Sequence, residues 1–66
     1  MRLSPREGEI LFLIVSMELS SSDIAKRLGI SVGTVDTHRK NLLQKLNVKN
    51  SVGLTKVAIR DKYIHL

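Results

Sequence analysis

Residues able to hold a proton, a metal or a polar ligand cluster between Ser31 and Lys49, and their spacing sorts what they can do. Ser31, Asp36 and His38 supply the three types of a nucleophilic relay. Asp36 and His38 stand two apart in a stretch of helical periodicity and face different ways, so they cannot align with Ser31. His38 follows Val35 by three and precedes Leu42 by four, which puts it at the border of the apolar side. It reads as a packing histidine that hydrogen-bonds locally or touches a phosphate, ahead of a catalytic base. The chain has no cysteine and only two histidines, His38 and His65, so a zinc site would have to rely on carboxylates. No metal, cofactor or catalysis is expected. What remains is a set of polar positions, Gly33, Asp36, Thr37, Lys40, Asn41 and Gln44, which at about 100° per residue gather opposite Val35, Leu42 and Leu46. Such groups donate to and accept from base edges, Thr37 adds a methyl suited to thymine, and Lys45 and Lys49 lie toward the end where phosphates would pass.

A face of that kind needs a helix held from behind. Ser4-Pro5-Arg6-Glu7 reads as a first helix start, with Ser4 as N-cap, Pro5 where its missing N–H costs nothing, and Glu7 closing a capping box. Ile10, Leu11, Leu13, Ile14 and Met17 continue it as one apolar face, until the polar run from Glu18 to Ser22 interrupts. Phe12 and Val15 fall partly off that face, where they cover a neighbouring loop or dock another domain. Ser20 to Asp23 has the spacing of a second cap, and Ile24, Ala25 and Leu28 lead to Gly29, suited to the left-handed residue that closes a helix. Ser31 offers a third cap only about three residues later. From Val32, the apolar positions Val35, Leu42, Leu43 and Leu46 carry the longest helix as far as Asn47, its C-cap. Asn50 or Ser51 caps a fourth helix, with Leu54, Val57, Ala58 and Ile64 inward. Val52, Lys56 and Ile59 form a second stripe beside them, either ordinary surface or a seam where two short helices cross about a twofold axis.

The expected fold is therefore all-α, with four helices forming one domain over residues 1–66. Two helices joined by a short glycine-containing turn, the second one longer, follow the helix-turn-helix plan. The turn makes helices 2 and 3 cross steeply, so that helix 3 projects with one face buried and the other free to enter a major groove.

The charge balance points the same way. Eleven Lys and Arg stand against six Asp and Glu, a net charge of +5, and because residues 1–33 sum to zero the whole excess lies in residues 34–66. This asymmetry suggests a polyanion partner, nucleic acid before membrane, because no basic amphipathic stretch carries a bulky aromatic face. Phe12 and Tyr63 are the only aromatic residues, so the core must be aliphatic. The longest apolar run, Ile10 to Val15, is six residues, against about 20 for a membrane-spanning helix. Met1-Arg2 leads into no signal-peptide pattern, and a cytoplasmic domain is expected.

Leu3-Ser4-Pro5-Arg6-Glu7 with Glu9-Ile10-Leu11, then Ser22-Asp23-Ile24-Ala25 and Leu28, then Ser31, Thr34-Val35, His38, Lys45-Leu46, Val48 and Asn50 together carry a resemblance. Over essentially its whole length the chain resembles the LuxR-type (NarL/FixJ-type) DNA-binding domain of bacterial transcriptional regulators. The resemblance implies a reading head of helices 2 and 3 on double-stranded DNA. It also implies a four-helix bundle whose helix 4 contributes to a homodimer on a two-half-site operator; with the small stripe Val52, Lys56 and Ile59 as its seam, that homodimer is expected to be weak and strengthened on DNA. Positions matching Asp36, Thr37 and Lys40 would face bases, and those matching Thr34, Asn41, Lys45 and Lys49 would lie near the backbone. Arg39, near the apolar side, would lay its stem over the bundle and reach solvent or phosphate.

Several positions depart from the family pattern. Glu18 stands where members commonly carry glycine, Ser51 replaces a common arginine and Lys62 a common glycine. Gly8 sits inside helix 1 at a cost of about 1 kcal/mol relative to alanine. Asp36 occupies a base-facing position often basic in relatives, where an acid repels phosphate and accepts from cytosine N4. Such domains are usually controlled by an N-terminal receiver or ligand-binding domain, so the chain is expected to be an excised C-terminal domain or a small stand-alone regulator. Two other readings are open: a sigma-factor-like promoter reader, with RNA polymerase as partner, and a helical protein-interaction module working through Phe12 and Val15.

Overall fold

A computed structural model describes residues 3–60. Four helices follow one another: α1 (Pro5–Val15), α2 (Ser21–Leu28), α3 (Val32–Lys45) and α4 (Ser51–Arg60). Among the described residues there is no strand. The all-α architecture and the expected helix order are as read from the sequence; Ile64, assigned to the inner face of α4, lies outside the described residues.

Each helix starts where a side chain replaces a missing backbone partner. Ser4, Ser20 and Ser31 accept from the N–H of Glu7, Asp23 and Thr34, which satisfies donors that the first turn of a helix leaves open. Asn50 decides the fourth start: its Oδ1 accepts from Gly53 N–H at 3.0 Å.

The exits are less uniform. After each of α1, α2 and α3 one residue takes a left-handed conformation, Glu18 at φ 53°, Gly29 at φ 69° and Asn47 at φ 55°. Ile30 N–H then reaches Ala25 O and Val48 N–H reaches Leu43 O, the closing bond of a Schellman turn. At the end of α1 the corresponding bond, Leu19 N–H to Leu13 O, spans one residue more. Two expectations are corrected here. Helix 1 does not reach Met17, which is 40% exposed, because the chain turns at Glu18 and brings Leu19 onto the core instead. Asn47 is not the C-cap of α3; Leu46 is, and Asn47 is the left-handed residue just past it, a conformation asparagine tolerates better than most.

The core is aliphatic. Ile10, Leu11, Leu13 and Ile14 of α1 meet Ile24 and Ala25 of α2, Val35 and Leu42 of α3, and Leu54 and Ala58 of α4. α3 packs against all three other helices, so its orientation is set from several sides at once. Val15 is half-buried against this core, whereas Phe12 is 49% exposed.

Candidate nucleic-acid interface

α3 begins three residues after α2, beyond the turn Gly29 to Ser31, and its buried stripe is Val35 and Leu42, with Leu43 and Leu46 partly covered. With that stripe inward, Gly33, Thr34, Asp36, Thr37, Lys40, Asn41 and Gln44 are all exposed. Asp36, Thr37 and Lys40, expected to face bases, are thus exposed on the same side as Asn41 and Gln44, as the periodicity required, and Thr34 is exposed beside them.

Hydrogen bonding divides these residues further. Thr37 Oγ1 donates to Gly33 O at 3.0 Å, which leaves its methyl and its acceptor capacity outward. The Thr34 hydroxyl pairs with that of Ser31 at 2.9 Å. Asp36, Lys40, Asn41, Gln44 and Lys49 form no side-chain hydrogen bond or ion pair within the described residues. Their polar ends are available to a ligand. Lys40 and Lys49 also line one cleft of about 480 Å³ at the far end of α3, together with Leu43, Gln44, Asn47 and Val48. His38 is half-buried, and neither Ser31 nor Asp36 is bonded to it.

Two of the cations expected at the DNA backbone have a partner inside the domain. Arg39 is half-buried, and its guanidinium donates to Ser51 Oγ at 3.0 Å across the α3–α4 boundary. It lines a cleft of about 310 Å³ with Ile14, Val15 and Leu19, on the inward side of α3. Lys45 Nζ donates to Glu7 Oε1 at 2.7 Å, tying the last residue of α3 to the first turn of α1.

Glu7 is the residue that sequence reasoning took for a cap and no more. It is a cap: Ser4 N–H donates to its Oε1 at 2.8 Å, and its own N–H bonds Ser4 Oγ. It is also the one charged residue buried with the core among the described residues. The Lys45 ammonium, followed by the Ser4 backbone, holds its carboxyl down at about 2, against 4.5 ordinarily. The available signal was its register, three before Ile10 and seven before Ile14, which puts an acid on the apolar face, where a charge needs a partner.

On α4, Val52 (65% exposed), Lys56 and Ile59 (39% exposed) form one outward stripe opposite Leu54, Val57 and Ala58.

The sequence model of the family described as bacterial regulatory proteins, luxR family, matches residues 1–58. The chain is 47% identical over 57 residues to the transcriptional regulatory protein MctR of Rhizobium johnstonii, covering 86% of the chain and 26% of that protein. It is 40% identical over 62 residues to the oxygen regulatory protein NreC of Staphylococcus carnosus, covering 94% of the chain and 28% of the relative. With the transcriptional regulatory protein RcsB of Escherichia coli it shares 40% over 53 residues, 80% of the chain and 24% of the relative. The chain spans about a quarter of the length of these curated relatives. No solved structure matches it.

Proposed function

This chain belongs to the luxR family of bacterial regulatory proteins, and on that premise we propose that it binds double-stranded DNA sequence-specifically to regulate transcription, with α3 in the major groove. The observation that carries the reading is the outer face of α3, where Asp36, Lys40, Asn41 and Gln44 are exposed and have no side-chain partner among the described residues, while the opposite face is buried. Asp36, Thr37 and Lys40 face bases; Thr34, Asn41 and Lys49 lie along the sugar-phosphate backbone. Arg39 and Lys45, whose charged ends are held by Ser51 and Glu7, steady α3 from within. Residues 1–66 act as one such domain, without catalysis, in the cytoplasm where the DNA of a bacterium lies. No helix among the described residues is long and apolar enough to cross a membrane.

A duplex titration at two salt concentrations tests this. With roughly two free cations per chain at the groove, Lys40 and Lys49, log K falls with log salt at a slope near −0.9 for each, about twice as steeply for a dimer. A flat response between about 50 and 200 mM overturns DNA binding. Selection of bound duplexes from a random library then supplies the preferred site.

The stripe of Val52, Lys56 and Ile59 is the dimer seam in this reading. It is too small to approach the roughly 1,200 Å² of a stable interface, so pairing depends on DNA holding two copies side by side. Ile59→Glu puts like charges across the twofold axis: in a gel shift, paired half-sites lose cooperativity while a single half-site binds as before. Unchanged cooperativity in the folded variant removes the seam from this face.

A further inference from the structure

We propose that Glu7 and Lys45 form a positioning pair that trims the angle left to α3 by its packing on the other helices, and with it the discrimination between DNA sequences, without either residue touching DNA. The proposal rests on the reading of α3 as the groove helix.

Glu7 is buried and held through both its backbone and its carboxylate. One oxygen, Oε1, receives both the Ser4 N–H and the Lys45 ammonium, at 2.8 and 2.7 Å, while the Glu7 N–H is bonded back to Ser4 Oγ. The carboxylate is therefore a rigid post, and Lys45, the last residue of α3, is fastened to it across 38 positions of sequence. At the other end α3 is held by its short turn to α2. The pair closes the second end.

The leverage is appreciable. At about 1.5 Å rise per residue, Lys40 lies about 12 Å beyond Val32, so a tilt of about 5° at the α2–α3 turn moves it by about 1 Å, twice the tolerance of a positioned binding group. A phosphate that drew the Lys45 ammonium away would leave the buried Glu7 carboxylate with the Ser4 N–H alone, which is costly. A neutralised cation also releases no counterion of its own on binding.

The test compares the whole chain with Glu7→Gln, Lys45→Gln, the double variant and Lys45→Arg. For each, affinity is measured on the preferred duplex and on random duplex, with the salt slope and circular dichroism as a folding control. The expected result is that Glu7→Gln and Lys45→Gln each lower the ratio of preferred to random affinity by roughly two- to thirtyfold, the range over which residues outside a site modulate it. The salt slope of Lys45→Gln matches that of the unchanged chain, the double variant is no worse than either single, and Lys45→Arg restores the ratio. Should a single variant fail to fold, the double variant, which leaves no unpaired buried charge, carries the comparison.

The proposal is overturned if Lys45→Gln weakens both duplexes alike and flattens the slope by about 0.9, the signature of a phosphate contact. It is equally overturned if Glu7→Gln leaves the ratio unchanged. An unchanged chain that prefers no duplex overturns the reading of α3 and this inference together; one that discriminates while the folded variants discriminate equally well overturns the pair alone.

Discussion

Arg39 and Lys40 are adjacent in sequence and carry the same charge, yet they belong to different parts of the molecule. Arg39 is half-buried with its guanidinium on Ser51, while Lys40 is exposed and has no partner within the described residues. A single step of about 100° around the helix separates them. The same division runs along all of α3: Lys45 is bound to Glu7 on the inner border, and Asp36 and Gln44 are open on the outer side. Net charge alone overstates how many cations a basic domain offers to a polyanion, because some of them hold the scaffold that presents the rest.

Substitutions on the two sides of α3 sharpen this contrast. Leu42 is fully buried, so Leu42→Ala is expected to cost about 2 to 5 kcal/mol of stability, read as a large fall in the thermal midpoint. In a domain this small that is much of what holds it together. A small shift would mean the inner side is not the packed side.

Acid reaches the inner side through Glu7. Its carboxyl is held down at about 2, first by the Lys45 ammonium, so the folded state binds the proton less readily than the unfolded chain. The resulting stability is fully present above the ordinary 4.5 and is lost as pH falls through that value toward about 2. The loss is on the order of the 1.5 to 3 kcal/mol typical of a hydrogen bond to a charged group. Urea midpoints measured from pH 6 downward check it, with Glu7→Gln as reference. If that variant shows the same pH dependence, the ion pair is not its source.

On the outer side the effect moves from folding to binding. Lys40→Ala should leave the thermal midpoint nearly unchanged and cost about 1 to 3 kcal/mol on the preferred duplex, flattening base preference. Lys49→Ala should weaken all duplexes alike. Identical specificity profiles for the two would erase the distinction between reader and anchor.

The smallest expected change lies away from α3. Glu18 stands at φ 53°, where a side chain is strained, and Glu18→Gly should stabilise by about 1 kcal/mol or less by relieving it. A lower midpoint would show that the glutamate side chain compensates for its backbone.

Much of this was legible in the sequence because it is local. A serine three residues before the N–H it caps, or a glycine after a helix, acts within a few positions, so the starts at Ser4, Ser20 and Ser31 and the stop at Gly29 could be read directly. The end of α1 could not. Nothing in the side chain of Glu18 announces a left-handed backbone, so the apolar spacing of Met17 suggested a helix that had already ended. The outer face of α3 followed from periodicity, and so did the inward placement of Arg39. The fate of Lys45 did not, because its partner lies 38 positions away and Glu7 already had a complete local explanation as a cap.

Mapping backbone amide shifts of the labelled chain as duplex DNA is added tests the central claim, that the unpartnered side of α3 is the surface that meets DNA. Perturbations are expected to concentrate at Asp36, Lys40, Gln44 and Lys49, with the outer side of α1 at Phe12 silent. Perturbations centred on Phe12 or on α4 while α3 stays unchanged would contradict it.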